Sequence, residues 1–270
     1  MKETLRKAYK FSNSWTGTIV IVLFIIFFIA QAFKIPSGSM KDSLLIGDHL
    51  FAKKFAYGIS MPHIPFLEVS IMPWSDSLRL VDGDTPKRGD IVIFRYPHNI
   101  KQHFVKRCVA LPDDELFLLD KNLYIHFHEG DAWIKKNYPN SEMKIFAGKS
   151  WVKNPYMKKH PGIHHDKSIV NLGYPTMQPL FNLAPIQVPK GEYFMMGDNR
   201  DHSNDSRFWG TVPYDNIEGT PWFVYFSIDE NWEIRWDRMG KTPTDLEEPE
   251  HLNKAIAERV HHDKGDHGIY

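Results

Sequence analysis

The sequence predicts a mainly β protein, in which a single N-terminal transmembrane helix is followed by an antiparallel β-rich domain with an inserted smaller β lobe. Three observations support this fold class. An uncharged apolar stretch lies near the amino end, short runs rich in β-branched and aromatic residues follow it, and 18 prolines and 17 glycines indicate frequent turns. Apolar residues make up 42% of the 270 positions, enough for a core. We expect three parts, over residues 1–34, 35–242 and 243–270.

Residues 15–33 form the apolar stretch and carry no formal charge. As a helix they would be about 28 Å long, close to the thickness of a bilayer's hydrocarbon core. Trp15 stands where an interfacial aromatic is favourable, and basic residues precede it, so the amino terminus should stay in the cytoplasm. A cleavable signal peptide is the alternative, because Ala30-Gln31-Ala32 fits an A-x-A site, but such peptides need an apolar run of only roughly 7–15 residues.

The rest of the chain shows short apolar runs between turn residues. Asp90–Tyr96 and Phe104–Leu111 predict strands because they are rich in β-branched and aromatic residues. Residues about 120–187 are polar and rich in Pro, Asn and His, and we interpret them as the inserted lobe. The charged tail predicts a short helix over Glu250–Val260 in a peripheral position. Three further apolar runs are Leu44–Ile46, Glu115–Leu119 and Pro221–Ile228.

Charge and metal-ligating residues limit the partners that the chain can be expected to bind. Lys+Arg and Asp+Glu both total 33, so no basic excess indicates a nucleic-acid partner. Cys108 is the only cysteine, which excludes an internal disulfide. The histidine-rich pairs lie in polar segments without cysteine or an H-E-x-x-H motif, so we expect no functional metal and no cofactor. These pairs are His164-His165 and His261-His262, the latter near Asp263 and His267.

Lys106 lies within a predicted strand and is the first candidate for chemistry. Strand alternation places Phe104, Lys106 and Cys108 on one face, and Val105 and Arg107 on the other. Apolar neighbours would desolvate the amine and lower its pKa. A shift from about 10.4 to about 8 would cost on the order of 3 kcal/mol. The result is a neutral amine that can take a proton from a serine. An exposed strand lysine is the simpler interpretation.

Two polar segments could supply the partners of such a lysine. Ser39 lies in Ile35–Met40, where Pro36 and Gly38 favour an irregular turn. Residues 197–207 are dense in Asp, Asn, Ser and Arg, between apolar and aromatic runs. If this loop packs against the core, its charges must pair with one another or with Arg107.

Together these segments resemble the bacterial type I signal peptidase family. The resemblance covers residues about 15–119 and 190–240, and lysine at position 106 resembles the bacterial branch, since a histidine is expected there in the endoplasmic-reticulum branch. Two turns depart from the family pattern. Asp42 stands where Met-x-Pro-Thr-Leu has proline, and Asp113 where Leu-Pro-Gly-Asp has glycine. The ordered motifs are IPSGSMKDSLLIGDHLFAKKFAYG, RGDIVIF, HFVKRCVALPDDE and GDNRDHSNDSRFWGTVP.

The resemblance implies a role for each candidate residue. Ser39 would be the nucleophile and Lys106 its general base. Ser37 would donate its hydroxyl to the oxyanion hole together with the Ser39 N–H, and Ser203 would orient the Lys106 amine. Asp198 would pair with Arg107, and Asp205 with Arg207. The substrate pockets would be lined by Ile35, Met40, Leu44, Phe104 and Val105.

The implied function is cleavage of signal peptides from exported preproteins, after small residues at −1 and −3. Shallow pockets would exclude bulky side chains, and the substrate would bind by strand addition. The expected location is the bacterial inner membrane, single-pass, with membrane lipid as a further contact and no obligate protein partner. Two other classes remain open from the residues alone: a non-catalytic anchored β domain that binds exported proteins, and a metal-dependent hydrolase.

Overall fold

The computed structural model describes residues 2–61, 63–64, 69–70, 79–139, 142–170 and 179–265. Its helices are α1 (Lys2–Ser12), α2 (Trp15–Phe24), α3 (Gly130–Asn137), α4 (Ser206–Trp209), α5 (Pro243–Leu246) and α6 (Pro249–Gly265). Its strands are β1 (Ala30–Lys34), β2 (Asp48–Lys53), β3 (Gly58–Ser60), β4 (His63–Ile64), β5 (Val69–Ser70), β6 (Arg79–Asp82), β7 (Ile91–Tyr96), β8 (Asn99–Ala110), β9 (Glu115–Leu119), β10 (Asn122–His126), β11 (Met143–Phe146), β12 (Lys149–Lys153), β13 (Leu183–Gln187), β14 (Glu192–Met196), β15 (Val212–Pro213) and β16 (Ile217–Ser227).

The sequence predicts one continuous helix over residues 15–33, and this prediction is wrong. Helix α2 continues as a π-helical turn over Ile25–Ile29, and the chain then enters β1. The reason is that the backbone of Ala30–Lys34 pairs in antiparallel register with His49–Lys53, which favours extended conformation there. Among the described residues, none of the helices has both the length and the apolar character that crossing a membrane requires.

The larger sheet has seven strands in the order β1-β2-β16-β7-β8-β14-β15, and its neighbours pair in antiparallel fashion. The prediction of a mainly antiparallel β protein is therefore confirmed. In β8, Lys106 pairs with Val92 of β7, and Arg107 with Ile91. The rings of Phe33 and His103 lie 5.3 Å apart, so the edge strand β1 curls back toward β8.

A second sheet of five strands has the order β11-β12-β10-β9-β13. It includes most of the region over 120–187 that the sequence indicated as an inserted lobe, and it begins earlier, at Glu115. Its core contains Leu116, Leu123 and Ile125, which share one apolar cluster with Phe194 of the larger sheet. The two sheets are thus joined through a common core.

The segment after residue 242 is not peripheral, which corrects the sequence prediction. The Leu246 side chain is fully buried in the cluster that contains Ile35 and Met40, and Leu252 and Ala255 of α6 are also buried. These apolar side chains dock an otherwise polar tail. The helix predicted over Glu250–Val260 lies within α6.

The apolar run Leu44–Ile46 forms no strand. Its backbone turns instead, since the Leu44 N–H donates to the carbonyl of Met40, and the Gly47 N–H to that of Ile35. Gly47 has φ +89°, and a Cβ there would collide with the backbone of Ile228. This turn connects the segment around Ser39 to β2.

Candidate active site

Ser39 lies in a single 3₁₀ turn over Gly38–Met40, directly after the extended residue Ser37. Asn199 holds this turn from the facing loop. Its backbone N–H donates to the Ser39 carbonyl at 3.1 Å, and its side-chain amide donates to the Gly38 carbonyl at 3.1 Å. The carbonyls of the turn are therefore fixed, while the Ser39 side chain is directed toward β8.

The Nζ of Lys106 lies 2.6 Å from the Oγ of Ser39. Both side chains are buried, and the amine lies 5.4 Å from the centroid of the Phe104 ring. Burial lowers the pKa of the Lys106 amine to about 8, although the charges of Asp205 and Asp198 act in the opposite direction. About one-tenth of the amine is therefore neutral at pH 7, and this fraction, which rises with pH, can accept a proton.

The alternation of side chains along β8 explains why the Lys106 amine is shielded from water. Phe104 and Cys108 contact the cluster that contains Val92 and Phe94, whereas Val105 packs on the cluster of the opposite face. Lys106 shares the face of Phe104 and Cys108, so its stem runs between apolar neighbours. The predicted desolvation of Lys106 is confirmed, and Cys108 is a buried thiol whose pKa is raised by that burial.

Arg107 points to the other face of β8 and pairs with Asp198. Two guanidinium nitrogens donate to the Asp198 carboxylate, at 2.8 and 2.6 Å, and both side chains are almost fully buried. Burial alone would raise the pKa of Asp198, but the charge and hydrogen bonds of Arg107, together with the hydrogen bond of Ser43, outweigh it, and the pKa is lowered. The pair connects β8 to the loop that follows β14, next to the Ser39–Lys106 contact.

Asp205 and Arg207 form the second predicted pair, within the loop itself. The guanidinium of Arg207 donates to both carboxylate oxygens of Asp205, at 2.8 and 2.9 Å. The same carboxylate accepts the N–H of Gly197 at 3.0 Å. The loop is thereby closed on itself, which holds its Ser203 segment against the turn that carries Ser39.

Ser203 is buried, and its hydroxyl makes no hydrogen bond of normal geometry in the described part of the chain, although it lies near enough to Asp205 to help lower the pKa of that carboxyl. Ser203 lies close to the turn that carries Ser39. A Cβ placed on Gly197 would overlap the Ser203 hydroxyl and would lie 2.5 Å from the Ser39 carbonyl oxygen. Ser37 is exposed, two residues before Ser39. The orienting role of Ser203 and the oxyanion role of Ser37 stay predictions.

The residues predicted to line the substrate pockets belong to two apolar clusters, which lie on opposite faces of β8. Ile35, Met40 and Leu44 are buried in one core cluster, against which Val105 packs. Phe104 is partly buried on the other face of β8. The assignment of these five side chains to substrate pockets stays a prediction.

The two departures from the family pattern have different structural consequences. Asp113 has φ +67°, a left-handed conformation in which glycine is favoured and aspartate is tolerated. Asp42 has φ +78°, which the ring of a proline could not adopt. The turn after Ser39 therefore differs from the Pro-containing turn that is usual at this position.

Several side chains of the site carried no signal that sequence reasoning used. Ser43 donates to the Asp198 carboxylate at 2.5 Å, and Glu247, from the charged tail, contacts Arg107. The His160 ring lies 2.9 Å from Arg107 and 2.8 Å from Glu247. Asn199 lies inside the motif that contains Asp198, so its position in that motif could have identified it.

Metal-ligating side chains in the described part of the chain converge at Asp114, His128 and Glu129. Arg88 donates to both carboxylates, at 2.6 and 2.8 Å, so part of their negative charge is already compensated. His164 and His165 pair with Asp42 and Asp201. The side chains of His261, His262, Asp263 and His267 lie outside the described residues.

Comparisons with known proteins identify the family of this chain. Residues 9–226 match the model of the family described as signal peptidase, peptidase S26. A signal peptidase I from Helicobacter pylori is 44% identical over 279 residues, covering 90% of this chain and 96% of the relative. One from Rickettsia typhi is 32% identical, covering 83% and 81%. A crystal structure of a signal peptidase I from Enterococcus faecalis is 25% identical, with a TM-score of 0.32, and covers 51% of this chain and 97% of that one.

Proposed function

Since this chain belongs to the signal peptidase family, peptidase S26, we propose that it cleaves its substrates with Ser39 as the nucleophile and Lys106 as the general base. Its activity is that of a serine endopeptidase that removes signal peptides, and its substrates are preproteins that bear them. The observation that supports the two residue roles is the 2.6 Å separation between the Lys106 Nζ and the Ser39 Oγ.

The reaction follows from the charge state of the amine. Neutral Lys106 takes the hydroxyl proton as the Ser39 Oγ attacks the carbonyl carbon of the −1 residue, and the resulting ammonium gives that proton to the leaving amine of the mature chain. This leaves an acyl-enzyme at Ser39. Water then attacks the ester while Lys106 again takes a proton, and the proton is returned to the Ser39 oxygen.

Two further serines complete the proposed mechanism. The Ser37 hydroxyl and the Ser39 N–H would donate to the developing oxyanion, where one such donor is typically worth about 3–4 kcal/mol. The buried Ser203 hydroxyl, which makes no hydrogen bond of normal geometry in the described residues, would form a hydrogen bond with the Lys106 amine and orient it. Its closeness to the Ser39 backbone supports this role.

Substrate recognition would use the edge strand β1 and shallow pockets. β1 ends the order of the larger sheet, so one of its edges can pair with an extended peptide. Such a strand would place its −1 and −3 side chains among Ile35, Met40, Leu44, Phe104 and Val105. Small residues would be selected because bulky side chains would clash with these linings.

Membrane attachment is the last part of the proposal. The side chains of Ile19–Ile25 are 40–54% exposed although they are apolar, and α2 has no polar face. An all-round apolar helix needs lipid or protein around it. We therefore propose a single-pass anchor within residues 1–34 in the bacterial inner membrane, with the amino terminus in the cytoplasm and the catalytic domain over 35–242 outside.

The test is cleavage of a preprotein in detergent by the full chain and its variants. Ser39→Ala and Lys106→Ala should each abolish cleavage, whereas Lys101→Ala, an exposed lysine of the same strand, should cleave at the wild-type rate. Cleavage by either of the first two variants at a rate near wild type would refute the assigned pair.

A further inference from the structure

Asp42 is a buried carboxylate three residues after Ser39, in a left-handed turn with φ +78°. One of its oxygens lies 3.1 Å from the Nη1 of Arg259 and 3.2 Å from the Nδ1 of His164. Its other oxygen has no hydrogen-bond partner among the residues that the structure describes. Burial raises the pKa of the Asp42 carboxyl, and the charges of His164 and Arg259 counteract this. Burial lowers the pKa of the His164 ring, so Arg259 is the partner whose permanent positive charge favours a charged carboxylate at this place.

The turn of Asp42 is continuous with the turn of the nucleophile. The N–H groups of Ser43 and Leu44 both donate to the Met40 carbonyl, at 3.1 and 2.8 Å. The Ser43 hydroxyl reaches Asp198, whose carbonyl accepts the N–H of His164 at 2.9 Å. A displacement of Asp42 would thus be transmitted directly to the residues on both sides of Ser39.

Arg259 comes from a part of the chain that the family match does not include. It lies on α6, whereas the match ends at residue 226. Helix α6 is fixed to the domain by the buried Leu252 and Ala255, whereas the Lys254 amine, 3.0 Å from Asp237, forms an exposed ion pair that contributes little to the docking. The helix can therefore present Arg259 at a defined place.

A second contact from the same C-terminal segment reaches the other side of the site. The Glu247 carboxylate contacts Arg107, the neighbour of Lys106 on β8, and also the ring of His160 at 2.8 Å. The C-terminal segment thus contacts the nucleophile turn through Arg259 and the strand of the general base through Glu247. Both contacts are ion pairs with buried partners.

We propose that Arg259 is a positioning residue for the cleavage reaction: through Asp42 it holds the turn that carries Ser39 against Lys106. This inference rests on the proposed role of Ser39 as nucleophile. Asp42 has a backbone conformation that proline cannot adopt. Arg259 neutralises the carboxylate that stands where the family pattern has a proline ring. The left-handed turn at Asp42 and Arg259 thus act together, and both are needed to hold Ser39 in place.

The test measures kcat/KM for preprotein cleavage, and the melting temperature, of the full-length chain and five variants. These are Arg259→Gln, Arg259→Lys, Asp42→Asn, the double variant Asp42→Asn with Arg259→Gln, and Lys254→Gln. Asn at position 42 removes the charge and still tolerates a left-handed backbone. Lys254→Gln is the matched control, because it breaks an ion pair of the same helix that does not contact the turn.

We expect Arg259→Gln to lower kcat/KM roughly tenfold, because a loosened turn misplaces the Ser39 hydroxyl relative to Lys106. Arg259→Lys should restore most of the activity, and Lys254→Gln should equal wild type. In the Asp42→Asn background, Arg259→Gln should cause no additional loss, because its only route to Ser39 is already removed.

Two results would overturn the proposal. One is that Arg259→Gln cleaves as fast as Lys254→Gln. The other is that it causes the same loss in the Asp42→Asn background as in wild type, which would mean that it acts through the docking of α6 alone. Failure of the proposed function is separable from both, since it would show as cleavage by Ser39→Ala, whatever stands at position 259.

Discussion

Gly197 lies so close to Ser203 that no side chain can be added between them: a Cβ on Gly197 would lie 2.6 Å from the Ser203 Cβ and 2.5 Å from the Ser39 carbonyl oxygen. The backbone of the loop after β14 therefore contacts the turn that carries Ser39 directly. The absence of a side chain at position 197 is a condition for the geometry of the site.

Gly197→Ala should consequently lower kcat/KM by at least about tenfold, because the methyl group must displace Ser203 or Ser39. The control is Gly148→Ala, in the turn between β11 and β12. Gly148 has φ +76°, but a Cβ there meets no atom within 4 Å, so that variant should lose some stability and no activity. Equal cleavage rates for the two variants would contradict the proposed contact.

Removing one partner of the Asp205–Arg207 ion pair should lower the free energy of unfolding strongly. Either Asp205→Asn or Arg207→Met leaves a buried charge without its partner, which typically costs about 3–5 kcal/mol of unfolding free energy. The double variant should lose less than the two single losses added together. Urea unfolding of the four proteins gives this comparison, and strictly additive losses would show that the two side chains are independent.

Lys106→Met should abolish cleavage and yet stabilise the fold below pH 8. The pKa of the amine is lowered from 10.5 to about 8 by burial, so the unfolded chain binds more protons between these values. The penalty from this group is complete below pH 8 and disappears as the pH rises through 10.5. Urea unfolding should show a gain of about 3 kcal/mol at pH 7, and almost none above pH 10.5. An equal gain at both pH values would mean that the amine is not desolvated.

The proposed pockets predict a sharp limit on side-chain size at the cleavage site. A preprotein with Phe in place of Ala at −1 should be cut at least about 100-fold more slowly, because the phenyl ring cannot enter among the buried Ile35, Met40 and Leu44. Ile35→Ala should restore part of the rate with a larger −1 residue such as Val. If Ile35→Ala leaves the preference unchanged, this side chain does not limit the pocket.

The desolvated lysine could be predicted from sequence because its cause is local. Alternation along β8 alone places Lys106 between Phe104 and Cys108, and the ordered motifs supply Ser39. The extent of the apolar helix could not be predicted in the same way. Residues 30–34 are apolar enough for helix or strand, and their pairing with β2 decides between the two.

The contacts from the C-terminal segment are non-local, and this is why sequence reasoning missed them. Nothing in the charge pattern of residues 243–270 distinguishes Glu247 and Arg259 from the solvated charges around them. Their partners Arg107 and Asp42 lie far away in the sequence, and only the docking of Leu246, Leu252 and Ala255 brings them together.

The most direct test of the account is the pH dependence of kcat/KM for preprotein cleavage by the wild-type chain. The burial of Lys106 lowers its pKa to about 8. Cleavage should therefore fall about tenfold per pH unit below that value and reach a plateau above it. A rate that is constant from pH 6 to pH 9 would contradict a neutral Lys106 as the base that activates Ser39.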